Sequence, residues 1–125
     1  MLNASILFFI NAVFTPIYAA TIIDTIIVGN TPQGIDVNSQ INKVYTANIN
    51  DNTVSVIDGS IDDLSNTITV GMSPAYLVSN PVTHKVYVSN NGDDTVSVID
   101  GVGNNILKTI NGFHLLNPPP LFINL

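Results

Sequence analysis

One run of residues occurs twice in this chain. Lys43 to Gly59 returns as Lys85 to Gly101, with 12 of the 17 aligned positions identical and the changes confined to positions 46, 47, 49, 50 and 52. Tyr45 and Tyr87, Asn48 and Asn90, Asp58 and Asp100, and Gly59 and Gly101 all stand 42 residues apart. A period of this length belongs to repeat architectures, in which each unit is one supersecondary piece that buries its faces against its neighbours. The duplication extends beyond the core run. Thr25, Ile26, Val28, Gly29 and Pro32 match Thr67, Ile68, Val70, Gly71 and Pro74 at the same offset.

Each unit holds four strand-sized pieces rich in β-branched residues. In the first they are Gly34 to Asn38, Lys43 to Ala47, Thr53 to Asp58 and Asn66 to Val70; in the second, Ala75 to Ser79, Lys85 to Ser89, Thr95 to Asp100 and Ile106 to Ile110. The connectors at Asn48 to Asn52 and Asn90 to Asp94 are rich in Asn, Asp and Gly, which tolerate left-handed φ and bond to their own backbone in tight turns. Gly71 and Pro74 bracket the passage between units, Gly by allowing φ > 0 and Pro by fixing φ.

Four short antiparallel strands in about 42 residues make the blade of a β-propeller. The expected fold is therefore all-β: two four-stranded antiparallel blades, about 32–70 and 74–110, preceded by one strand at 21–28, an incomplete propeller. Along Thr53 to Asp58, Val54 and Val56 alternate with Thr53, Ser55 and Ile57, so both faces are moderately apolar, as stacked blades require. Tyr45 and Tyr87 are expected to be buried between the sheets with their hydroxyls reaching a partner.

Lys-Val-Tyr-Thr-Ala-Asn at 43–48 and Lys-Val-Tyr-Val-Ser-Asn at 85–90, each followed by Thr-Val-Ser-Val-Ile-Asp, resemble the repeat of the YVTN family of β-propellers. Asn80 to Lys85 resembles the turn that commonly precedes that motif. The resemblance covers about 21–110. It implies a propeller of the broad class shared with lactonase-like and quinoprotein-dehydrogenase-like proteins, often secreted or of surface-layer type. Residues 111–125 diverge from the unit: Gly112 comes one position early for Gly71, and no proline stands at 116.

Residues 1–20 read as a secretory signal, with an apolar run from Ser5 to Phe14, then Pro16 and the small residues Ala19 and Ala20. No Lys or Arg precedes the run, and an uncleaved anchor or a misassigned start are the alternatives. Asn11 and Pro16 make it a poor bilayer span, so no membrane span is expected in the mature chain. The expected location is secreted or cell surface.

The 125 residues carry nine Asp, no Glu, three Lys and no Arg, a net charge of −6. That balance argues against nucleic acid, whose affinity comes from Lys and Arg at phosphates. No cysteine is present, which excludes disulfides, thiolate metal sites and cysteine nucleophiles.

The candidate catalytic residues each have a plainer reading. His84 stands where the first unit has Asn42, which makes it a turn residue. His114 lies in the divergent tail beside no carboxylate. Asp51 with Asn48, Asn50 and Asn52, and Asp93 and Asp94 with Asn90 and Asn91, offer oxygens of the kind Ca²⁺ takes, but without EF-hand spacing or a closing acidic ligand. Asp36 lies on the innermost strand and could point into a channel, though its counterpart is Val78. Ser55 and Ser97 have no accompanying base. The sequence thus predicts no catalytic, cofactor or metal site, and structural roles for Gly29, Tyr45, Asn48, Asp58, Gly59, Gly71, Pro74, Tyr87, Asn90, Asp100 and Gly101. The expected function is that of a structural or binding scaffold, not an enzyme. Its expected partners are further blades, copies of itself, or a protein or surface polymer. The alternative is a piece of a lactonase-like or quinoprotein/haem-type enzyme whose catalytic residues lie in other blades.

Overall fold

The computed structural model describes residues 20–112; the leader up to residue 19, His114 and nearly all of the divergent tail lie outside them. Eight strands form two four-stranded antiparallel sheets in simple meander order. Blade 1 comprises β1 (Pro32–Asn38), β2 (Lys43–Asn48), β3 (Thr53–Asp58) and β4 (Asp63–Thr69). Blade 2 comprises β5 (Pro74–Asn80), β6 (Lys85–Asn90), β7 (Thr95–Asp100) and β8 (Asn105–Asn111). Among the described residues there is no helix.

Each of the six hairpin loops is four residues long, and in each the last residue is left-handed: Asn42, Asn52, Asp62, His84, Asp94 and Asn104 have φ between 50° and 56°. All six are Asn, Asp or His, the residues most tolerant of that conformation outside glycine. His84 therefore does what Asn42 does. The outermost pair of strands carries an irregularity at the same place in each blade, between Val56 and Ile57 and between Val98 and Ile99.

The core is the junction between the blades. Tyr45, Val54, Val56 and Ile68 of blade 1 pack with Val86, Val88 and Ile99 of blade 2, and Leu77 and Ile106 close the cluster from the side. Val54, Ser55 and Val56 are buried in succession, so β3 is covered on both faces, as the alternation predicts for stacked sheets.

Three expectations are corrected. Thr21 to Val28 is not a strand. Its counterpart β4 is held by β3, and the described residues offer the segment no third strand of its own. Gly71 does not have positive φ, nor does its counterpart Gly29; that conformation falls to Ser73 and Thr31, two residues later in each case. Glycine is required instead for space, because a Cβ at either position would lie 2.5 Å from the Asn48 or Asn90 amide nitrogen. Lastly, Tyr45 and Tyr87 differ: Tyr45 is 0% exposed, whereas Tyr87 is 36% exposed. Blade 2 covers Tyr45, and nothing among the described residues does the same for Tyr87.

Candidate functional site: the blade junction and the open face of blade 2

The polar residues of the repeated motif are engaged in holding the fold. Asn48 and Asn90, both buried, donate from Nδ2 to two hydroxyls each. The acceptors are Thr53 and Ser55 at 3.0 and 2.9 Å, and Thr95 and Ser97 at 2.9 and 2.9 Å. Each asparagine ends its strand directly opposite the threonine, with the serine two residues along on the same face, so both amide protons find an acceptor. The turn carboxylates accept from backbone and hydroxyl donors. Asp51 accepts from the Asn30 N–H at 2.7 Å, and Asp93 accepts from the Met72 N–H at 2.9 Å and the Thr95 hydroxyl at 2.6 Å. The Thr95 hydroxyl, with the Met72 N–H behind it, holds the Asp93 carboxyl below its ordinary range. Asp58 is lowered chiefly by the Ser60 hydroxyl, and Asp100 accepts from the Val102 N–H, the Asx geometry of a strand-ending turn. Pro74 opens β5 with its ring fully buried. Among the described residues no group of three or more His, Cys, Asp or Glu is placed to hold a metal.

A second set of bonds crosses between blades. The Tyr45 hydroxyl donates to the Gly101 carbonyl at 3.3 Å. The ammonium of Lys43 reaches the same carbonyl at 2.6 Å and the Asn104 Oδ1 at 2.8 Å, and the Asn104 amide in turn donates to Asn66 at 2.8 Å. Asp36 accepts from the Ser79 N–H at 2.6 Å, so it points into blade 2 and not into a channel. Gly34 faces the Ala75 carbonyl, which a Cβ would approach to 2.7 Å. The bridging role of Lys43 and Asn104 was not singled out in the sequence. The available signal was that Lys43 repeats as Lys85.

Burial raises the Tyr45 hydroxyl to about 12 from an ordinary 10.0, with a smaller push from the Asp100 carboxylate. Between those values the unfolded chain has lost this proton and the folded chain has kept it. Stability is thus unaffected by this group below pH about 10 and falls as pH rises from about 10 to about 12. Denaturant titrations across that window should show the fall, and Tyr45→Phe should remove this contribution to it.

The other face of blade 2, which carries Tyr87, lies open. Tyr76, Leu77, Val78, Tyr87, Ser89 and Val96 line a groove of about 240 Å³, with Tyr76 64% and Val78 58% exposed. At the other end, Asp24 to Ile27 share an open cleft with Ile61 to Leu64 of blade 1.

No family model and no curated protein matches the chain. Solved structures do. The chain is similar to hydrazine synthase of Kuenenia stuttgartiensis, at 24% identity and TM-score 0.59, over 62% of this chain and 23% of that one. It is also similar to AztD of Citrobacter koseri in its apo form, at 17% identity and TM-score 0.58, over 69% of this chain and 25% of that one. The chain spans about a quarter of the length of the structures it matches. Both are β-propeller proteins, and at these identities the likeness is one of fold. With its two antiparallel four-stranded sheets packed face to face, the chain is two consecutive blades of a β-propeller.

Proposed function

We propose that the chain is an exported, YVTN-type propeller segment that serves as a structural and binding scaffold within a larger propeller. The observation that supports this best is the use made of the repeated polar residues. Asn48, Asn90, Asp51, Asp93, Asp58 and Asp100 each bind backbone or a hydroxyl within their own blade or in the segment leading into it, and Tyr45 and Lys43 tie one blade to the next. A motif repeated for catalysis would instead aim such groups at a shared open space.

Mass spectrometry of the protein recovered from the medium or cell surface tests both parts of the reading. The denatured mass should correspond to a chain beginning near Ala20 or Thr21, and the native mass should show protein alone. Soluble exported protein retaining Met1 would remove the signal reading. A stoichiometric metal ion or organic cofactor in the native species would favour an enzyme and overturn the scaffold.

A further inference from the structure

We propose that the open face of blade 2 receives blade 1 of a second copy of this chain, head to tail, in the register that joins the two blades within one copy. This rests on the reading that the chain works within a larger propeller, and it names the neighbour. The argument comes from moving each contact of the blade junction by one repeat. Tyr87 takes the place of Tyr45, and Gly59 of the second copy takes the place of Gly101, so the half-exposed Tyr87 hydroxyl gains a carbonyl partner. The apolar residues correspond as well. Ile35, Val44 and Ile57 on the free face of blade 1 are one repeat before Leu77, Val86 and Ile99, which the junction covers. Asp36 and Ser79, a polar pair across the junction, become Val78 and Val37, two valines that are both exposed in the single chain.

Charge names the occupant more narrowly. Within the chain, Asn104 is held by Lys43 and Asn66. One repeat on, Lys43 becomes Lys85 and Asn66 becomes Lys108, while one repeat back Asn104 becomes Asp62. Two of the three lysines of the molecule would thus flank one carboxylate of the incoming copy, replacing a neutral contact with an ionic one. All three groups are exposed. Asp24 is one repeat before Asn66 and two before Lys108, and its segment shares the cleft with Asp62. The β8 strand of the receiving copy therefore displaces the leading segment of the arriving copy, putting a lysine where an aspartate had stood. Thr21 to Thr25 are all exposed, so little burial opposes that exchange. One contact does not transfer. Tyr76 stands at the place of Gly34, where a Cβ comes within 2.7 Å of a carbonyl, so the innermost strands of neighbouring copies sit further apart than those within a chain.

The test is sedimentation equilibrium on the exported chain, with three variants beside it. The wild-type chain should associate at micromolar concentration. Lys108→Asp and Asp62→Lys should each weaken association by about tenfold or more, since like charges then face one another. An equimolar mixture of those two variants should recover it in part, because between unlike chains positions 108 and 62 always carry opposite charges, while Lys85 opposes the new lysine at half of those contacts. Because Lys suits the left-handed turn at 62 poorly, Asp62→Asn, which tolerates it, should also weaken association, and by less. Melting curves of the dilute variants separate lost docking from lost fold. A wild-type chain that stays monomeric throughout, or association indifferent to all three variants, overturns the proposal and leaves the scaffold reading standing. A cofactor found in the assembled species would do the reverse.

Discussion

Tyr45→Ser lowers the unfolding free energy by about 3 kcal/mol, in the range of large-to-small core changes, while Tyr87→Ser lowers it by less than about 1 kcal/mol, as at surface sites. The two tyrosines have the same place in the same motif, 42 residues apart, each preceded by Lys-Val. What differs is the next blade. Tyr45 is fully buried against Val86, Val88 and Ile99, and its hydroxyl has the Gly101 carbonyl as acceptor. Serine there leaves a cavity between the sheets and removes the hydroxyl that Gly101 accepts from. Tyr87 closes one side of an open groove and has little to lose in the single chain. Equilibrium denaturation of both variants at a concentration too low for association checks this. Equal losses at the two positions would mean that the blades do not stack in this order.

The second large effect is at the glycine opposite. Gly101→Ala should destabilise by about 2–3 kcal/mol, the upper part of the range for overpacking, and Gly59→Ala by clearly less. A Cβ at Gly101 would stand 2.5 Å from the His84 carbonyl and 2.6 Å from the Tyr45 hydroxyl, and the first of these is backbone that cannot rotate away. A Cβ at Gly59 would meet the end of the Asn42 side chain at 2.7 Å and its carbonyl only at 3.1 Å, with no tyrosine above it. At about 4–8 °C per kcal/mol for a domain of this size, the two variants should be separable by thermal melts alone.

The fold was legible because the repeat supplies its own control. β3 and β7 lie where the sequence puts them, and the other strands differ by one to three residues at one or both ends. Asn48 and Asn90 were visible as motif residues, but their pairing with Ser55 and Ser97 needs the register of two strands, which no single strand states. The exposure of Tyr87 was hidden for another reason. Equivalent places in a repeated motif predict equivalent burial, and the absence of a covering sheet among the described residues separates it from Tyr45. The glycines before each blade show a third kind of miss. Gly71 looks like a residue chosen for φ > 0, yet the left-handed residues are Ser73 and, one repeat earlier, Thr31, and glycine is needed at 29 and 71 because an asparagine side chain lies against it. Positive φ at a threonine and a serine runs against residue preference, and no rule of composition would have placed it there.

The central claim is that blade 1 and blade 2 are neighbours in one propeller arc, face to face and in one register. Proton–proton nuclear Overhauser effects across the junction test it most directly. The account predicts cross-peaks between the Gly34 and Tyr76 α-protons and between the Tyr45 ring and Gly101, since a Cβ on Gly34 would lie 3.2 Å from the Tyr76 Cα and one on Gly101 2.6 Å from the Tyr45 hydroxyl. It predicts none from the Tyr87 ring to blade 1 in dilute monomer. Two folded sheets without the first two cross-peaks, or with Tyr87 in the place of Tyr45, would contradict it.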